Sequence, residues 1–154
     1  MSSAARWFAR LGAPLEPAER HAIAAYLATL GLAKDTPVRL ASSWGEAAAH
    51  CSRNADEWWR IEAAERARLA RLVDLPDDAI VSESAALMSA ARRAGCDDMA
   101  TAYAASGAAT FAERDARLAR AAGASEHHLF LRKLALFEAG RWPLGVYAGE
   151  FALF

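Results

Sequence analysis

"NADEWWRIEAAERARLARLV", residues 54–73, decides how the rest of the chain is read. Two adjacent tryptophans precede two glutamates three positions apart, Glu62 and Glu65, in a segment without glycine or proline. At about 100° per residue, a helix over 56–73 gathers Trp58, Ile61, Leu69 and Leu72 into one stripe, with Glu65 near its middle and Glu62 at its edge. Glu57, Arg60, Ala64, Ala67, Arg68 and Arg71 fall on a solvated face. Trp58 therefore reads as core. Trp59 lies about 100° further round, on the shoulder between core and solvent, where an aromatic side chain suits contact with a partner.

A carboxylate on an apolar face is costly unless it is paired, neutralised or coordinated. Glu65 is thus read as a structural ion pair or cap, as a metal ligand, or as an acid/base or ligand-orienting group. One partner comes from "SEHHLFLRKLALFEA", residues 125–139, where His127 shares a helical face with Phe130, Leu131 and Leu134 and so faces inward. Glu62, Glu65 and His127 together are the oxygen and imidazole donors that helical bundles project inward to hold divalent metal ions, although the Glu-x-x-His motif of such bundles is missing. A metal is the alternative expectation, and no other cofactor is indicated.

A second i, i+4 pair, Glu46 and His50, lies in "SWGEAAAHCS", residues 43–52. Trp44, Ala47, Ala48 and Cys51 make the apolar face there, which turns Glu46 and His50 towards water and makes Cys51 a small buried hydrophobe.

Outward from these segments, glycine punctuates the chain. Gly12, Gly31, Gly95, Gly123 and Gly140 each follow an Ala-, Arg- or Leu-rich run, where a helix C-terminal glycine sits. Matching starts are Ser3, Glu16-Pro17, Ser43 with Glu46 at capping-box spacing, Asp97 or Asp98, and Ser125. The second helix presents Ile23, Tyr26, Leu27 and Leu30 as a core stripe. "TPVRLAS", residues 36–42, reads either as an extended connection or as a helix start. After Gly140, two short β-prone runs flank Ala148-Gly149, which predicts a hairpin over about 142–154. A lone hairpin is marginal in water, so it must pack on the helices or pair with a second chain.

Composition agrees with an all-α single domain over 1–154. Alanine makes up about a quarter of the residues, and hydrophobic residues 55%. The 18 basic and 19 acidic residues leave a net charge of −1, without the basic excess of a nucleic-acid footprint. The Arg114/Arg117/Arg120 series is interleaved with Glu113 and Asp115 and reads as a solvated helix face. Sixteen arginines stand against two lysines, Lys34 and Lys133, which together with the alanine load points to a GC-rich bacterial genome. Two cysteines without metal-site spacing suit a reducing cytoplasm, and no apolar run is long enough for a membrane span. Walker, nucleophile-elbow, dinucleotide-binding and HExxH signatures are absent.

The expected architecture is an antiparallel bundle of six or seven helices closed by the hairpin. The expected function is a binding or interaction module, a homodimer, using a groove near Trp59 and Trp142. The alternative is a small metal-dependent or acid/base enzyme centred on Glu62, Glu65 and His127.

Overall fold

Pro17 at the first helical position, a fixed φ and a dispensable N–H, starts helix α1 (Pro17–Thr29), and Glu16 and Glu19 close a reciprocal capping box around it. The computed structural model describes residues 6–53, 55–76 and 81–154. After α1 come β1 (Val38–Leu40), α2 (Trp44–Cys51), α3 (Asp56–Ala70), α4 (Val81–Arg93), α5 (Met99–Ala121), α6 (Leu129–Glu138), β2 (Pro143–Tyr147) and β3 (Glu150–Leu153). The described chain is mostly helical, as expected. The α1 stripe is buried as read, with Ile23, Tyr26, Leu27 and Leu30 all at 8% exposure or less.

Helix α5 organises the interior. Ala102, Ala105, Ala109, Ala112, Ala116 and Ala119 recur at alternating three- and four-residue steps, and all are at most 1% exposed. A stripe of methyl groups lets neighbouring backbones approach closely, and both α4 and α6 pack against α5.

The C-terminal hairpin forms where the sequence places it. Ala148 (φ 49°) and Gly149 (φ 80°) are both left-handed, as a tight two-residue connection that follows strand twist requires. The sequence reading missed its third strand: β1, from the ambiguous "TPVRLAS", pairs parallel to β3, with Val38 opposite Phe151 and Leu40 opposite Leu153. The order β1-β3-β2 makes β3 the central strand, which is why Phe151, Ala152, Leu153 and Phe154 are all 3% exposed or less.

All five punctuating glycines have positive φ. Gly140 is the most constrained: at φ 91° a Cβ there would lie 2.9 Å from Arg10 N, because the 6–10 backbone crosses it and Arg10 N donates to Gly140 O at 3.1 Å. Arg141, 1% exposed, fastens the same crossing, with Nε 2.8 Å from Glu19 Oε1 and its terminal nitrogens on the carbonyls of Ala13 and Pro14 at 2.7 and 3.1 Å.

Two expected helix starts are corrected. Ser3 lies outside the described residues, but 6–12 are successive turns rather than helix, with Phe8 at φ 59°. Trp7 and Phe8 are both buried, at 5% and 2%, and adjacent helical side chains diverge too far to enter one core together. The last helix begins at Leu129 rather than after Ser125, because His128 is its cap: the imidazole Nδ1 accepts from Phe130 N at 3.1 Å. Residues 125–128 form a turn instead, closed by His128 N donating to Ser125 O.

Candidate functional site

Helix α3 packs through a face centred on Trp58, Glu62 and Leu69, which are 3%, 0% and 1% exposed. This rotates the expected stripe by part of a turn and puts Glu62, not Glu65, at the bottom. The helix also ends at Ala70, so Leu72 leaves the stripe and is 60% exposed.

Glu62 is held by a closed polar network. Lys133 Nζ, from α6, donates to Glu62 Oε1 at 2.7 Å and Oε2 at 3.0 Å. The Tyr26 hydroxyl donates to Oε1 at 3.4 Å and accepts from Trp58 Nε1 at 2.9 Å. The ammonium also lies 4.3 Å from the centre of the Trp58 ring, a cation over an aromatic face. Burial, reinforced by the charge of Glu62, keeps the Tyr26 hydroxyl protonated well above its ordinary range. An unpartnered carboxylate at this depth would cost several kcal/mol, roughly; here each charge meets its opposite.

This network forms one wall of a cavity of about 430 Å³. Helix α3 contributes Trp58, Trp59, Glu62 and Arg66, which its i, i+3 and i, i+4 steps place on one side. Helix α5 contributes Tyr103, Gly107 and Phe111 at four-residue steps, α6 gives Lys133, and Trp142 and Tyr147 close the sheet side. Arg66 is bound to Asp115 through Nε and one terminal nitrogen, both at 2.7 Å, and its guanidinium stands 6.0 Å from the Phe111 ring. The rim is apolar and open: Trp59, Tyr103 and Phe111 are 54%, 74% and 54% exposed. At the edge, the Cys51 thiol is pushed up to about 11 by burial, so it stays protonated and is a poor nucleophile near neutral pH.

The structure brings Trp59 and Trp142 onto this one cavity, Trp59 at its rim and Trp142 in its wall, and adds Glu62 to them. It does not bring Glu62, Glu65 and His127 together. Glu65 turns to the other side of α3, where Arg68 grips it with two bonds of 2.7 and 2.9 Å and His128 Nε2 lies 2.7 Å away. These bonds, those from Arg68 foremost, lower its carboxyl to about 2. His127 is corrected from inward to exposed, its Nδ1 taken up by Arg132 at 3.0 Å, because it stands in the turn before α6 and not on the helix face. Among the described residues, no group of three or more His, Cys, Asp or Glu could hold a metal ion.

The Glu46/His50 reading changes too. Glu46 accepts from Ser42 N and Oγ at 2.9 and 2.8 Å, whereas His50 is 6% exposed, 5.8 Å from the Tyr147 ring, with its pKa lowered mainly by burial. Cys51 is the more exposed cysteine and Cys96 the buried one.

Three residues in or behind this wall were missed in the sequence. Lys133 carried a signal: phenylalanines flank it at i−3 and i+4, and both Phe130 and Phe137 are fully buried. Asp115, read as solvated, is 1% exposed, since it lies within the α5 alanine face between Ala112 and Ala119. Arg66 follows from Asp115, but nothing in the local spacing pairs two residues 49 apart.

No protein-family model matches the chain, and no curated protein or solved structure is significantly similar to it.

Proposed function

We propose that this chain is a binding module for a small organic molecule, seated in the cavity between α3, α5, α6 and β2, on a helical scaffold that we read as an antiparallel bundle. The observation that carries this reading is the lining: three tryptophans, two tyrosines and a phenylalanine surround a volume of about 430 Å³ that also holds a fixed charged pair. Ligand sites combine these features, a mostly apolar concavity with a few placed polar groups. An acid/base role for Glu62 has less support, since Lys133 and Tyr26 already engage its carboxylate.

The test is a fluorescence titration with 1-anilinonaphthalene-8-sulfonate on the wild type and on Gly107→Leu. A Cβ at Gly107 meets nothing within 4 Å, so the leucine projects into open space along the cavity wall without disturbing the packed side. One saturable site per chain, lost in a folded Gly107→Leu, supports the reading; equal binding by both proteins removes it.

The exposed rim favours one addition: two copies associate through Trp59, Tyr103 and Phe111, and so cover the mouth of the cavity. Light scattering tests this, with Trp59→Ala expected to shift a dimer towards monomer. A wild-type mass of one chain would remove the dimer.

A further inference from the structure

Resting on the cavity as a binding site, we infer that its ligand is a flat aromatic carboxylate, with the carboxylate received by Lys133 and Arg66 and the ring held among Trp59, Tyr103 and Phe111. The argument starts from hydrogen-bonding capacity. An ammonium carries three donors and a guanidinium five. Lys133 directs its bonds to Glu62 Oε1 and Oε2, which leaves one N–H. Arg66 commits Nε and one terminal nitrogen to Asp115, which leaves the other terminal nitrogen wholly unspent.

Acceptor capacity on the same wall is small. Glu62 Oε1 already takes Lys133 and Tyr26 and Oε2 takes Lys133, which leaves one acceptor position on Oε2, and the Tyr147 hydroxyl, whose proton goes to Leu144 O at 2.8 Å, keeps only its acceptor side. Asp115, which balances Arg66, does not line the cavity. Cationic donors are therefore in excess where a ligand meets the wall.

Geometry places the donors together. Glu62 and Arg66 are one helical turn apart on α3, with side chains roughly 6 Å apart at their roots, and Lys133 sits on Glu62. A carboxylate between Lys133 and Arg66 satisfies both, because charge-assisted bonds to two oxygens suit a forked acceptor. The rest of the site selects flatness: Trp59, Tyr103 and Phe111 offer ring faces and edges around an open mouth, where aromatic pairs gain beyond their buried area.

The test is calorimetric titration of the full chain with four probes: 2-naphthoate, 2-naphthamide, 2-(aminomethyl)naphthalene and octanoate. The expected ranking puts 2-naphthoate at least about tenfold tighter than the amide and the amine, the weight of one charge-assisted bond, and tighter than octanoate through its ring contacts. In the paired variant Arg66→Gln with Asp115→Asn, which strands no buried charge, 2-naphthoate should weaken about tenfold while 2-naphthamide is unchanged. If the variant does not fold, the wild-type ranking still decides. Binding of the amide or the amine as tight as that of 2-naphthoate overturns the carboxylate, and octanoate binding as tight overturns the flat aromatic ring, and either outcome leaves the cavity as a site; failure of all four to bind, with anilinonaphthalene sulfonate also failing, removes the site itself.

Discussion

Lys133 Nζ lies 2.7 Å from Glu62 Oε1, joining α6 to α3 through two side chains that are 5% and 0% exposed. Both charges are largely withdrawn from water, so each depends chiefly on the other for its solvation. Lys133→Met should cost about 3–5 kcal/mol by leaving a buried carboxylate without its counter-charge, with only the long Tyr26 hydrogen bond. The double variant Lys133→Met with Glu62→Leu should recover most of that loss. Urea unfolding of the three proteins measures this, and a single variant as stable as wild type would contradict the pairing.

The glycine and alanine turn positions make opposite predictions. Ala148 occupies φ 49°, a region that costs a residue with a Cβ about 1–2 kcal/mol, so Ala148→Gly should raise the thermal midpoint. Gly140→Ala should lower it by more than Gly31→Ala does: both glycines have positive φ, but only at Gly140 would a Cβ strike backbone, 2.9 Å from Arg10 N. Equal losses at 31 and 140 would show that the 6–10 segment does not press on Gly140.

Acid should loosen the molecule through two carboxyls. Hydrogen bonds from Arg141 foremost hold Glu19 at about 2, and those from Arg68 hold Glu65 at about 2, against an ordinary 4.5. A carboxyl whose pKa is lower in the fold than in the unfolded chain adds stability that is fully present above the unfolded value and is lost as pH falls through the folded one. The loss should therefore run from about pH 4.5 to about 2. Urea midpoints against pH check it: Glu19→Gln should be weaker than wild type at pH 7, and the gap should close across that window. A gap that stays constant down to pH 2 would take Glu19 out of the acid response.

How much of this could be read in advance depended on whether the deciding contact is local. The glycine stops at 31, 95, 123 and 140, Pro17, the Ser43 and Asp98 caps and the Ala148-Gly149 connection act within a few residues, and each was legible, whereas Gly12 follows turns and ends no helix. Strand β1 was not, because Val38–Leu40 has little strand pattern of its own and is extended through its pairing with Phe151–Leu153, more than a hundred residues away. The same division runs through the site. Trp59 and Trp142 were found as large side chains in unusual places, and Glu62 as an inward acid. Its partner was missed, since helical periodicity shows which face a residue occupies and not what stands opposite. His127 was misplaced for a smaller reason: the His128 imidazole, capping Phe130 N, moved the helix start by a few residues and left His127 in the turn before it.

The central claim, a ligand site bounded by α3, α5, α6 and β2, is tested most directly by the indole N–H signals of the five tryptophans in a ¹H–¹⁵N spectrum during titration with 2-naphthoate. Trp58, Trp59 and Trp142 line the cavity and Trp7 does not. The predicted result is saturable shifts at Trp58, Trp59 and Trp142 that share one binding curve, with Trp7 unmoved. Shifts led by Trp7, or no saturable change at the three lining tryptophans, would contradict it.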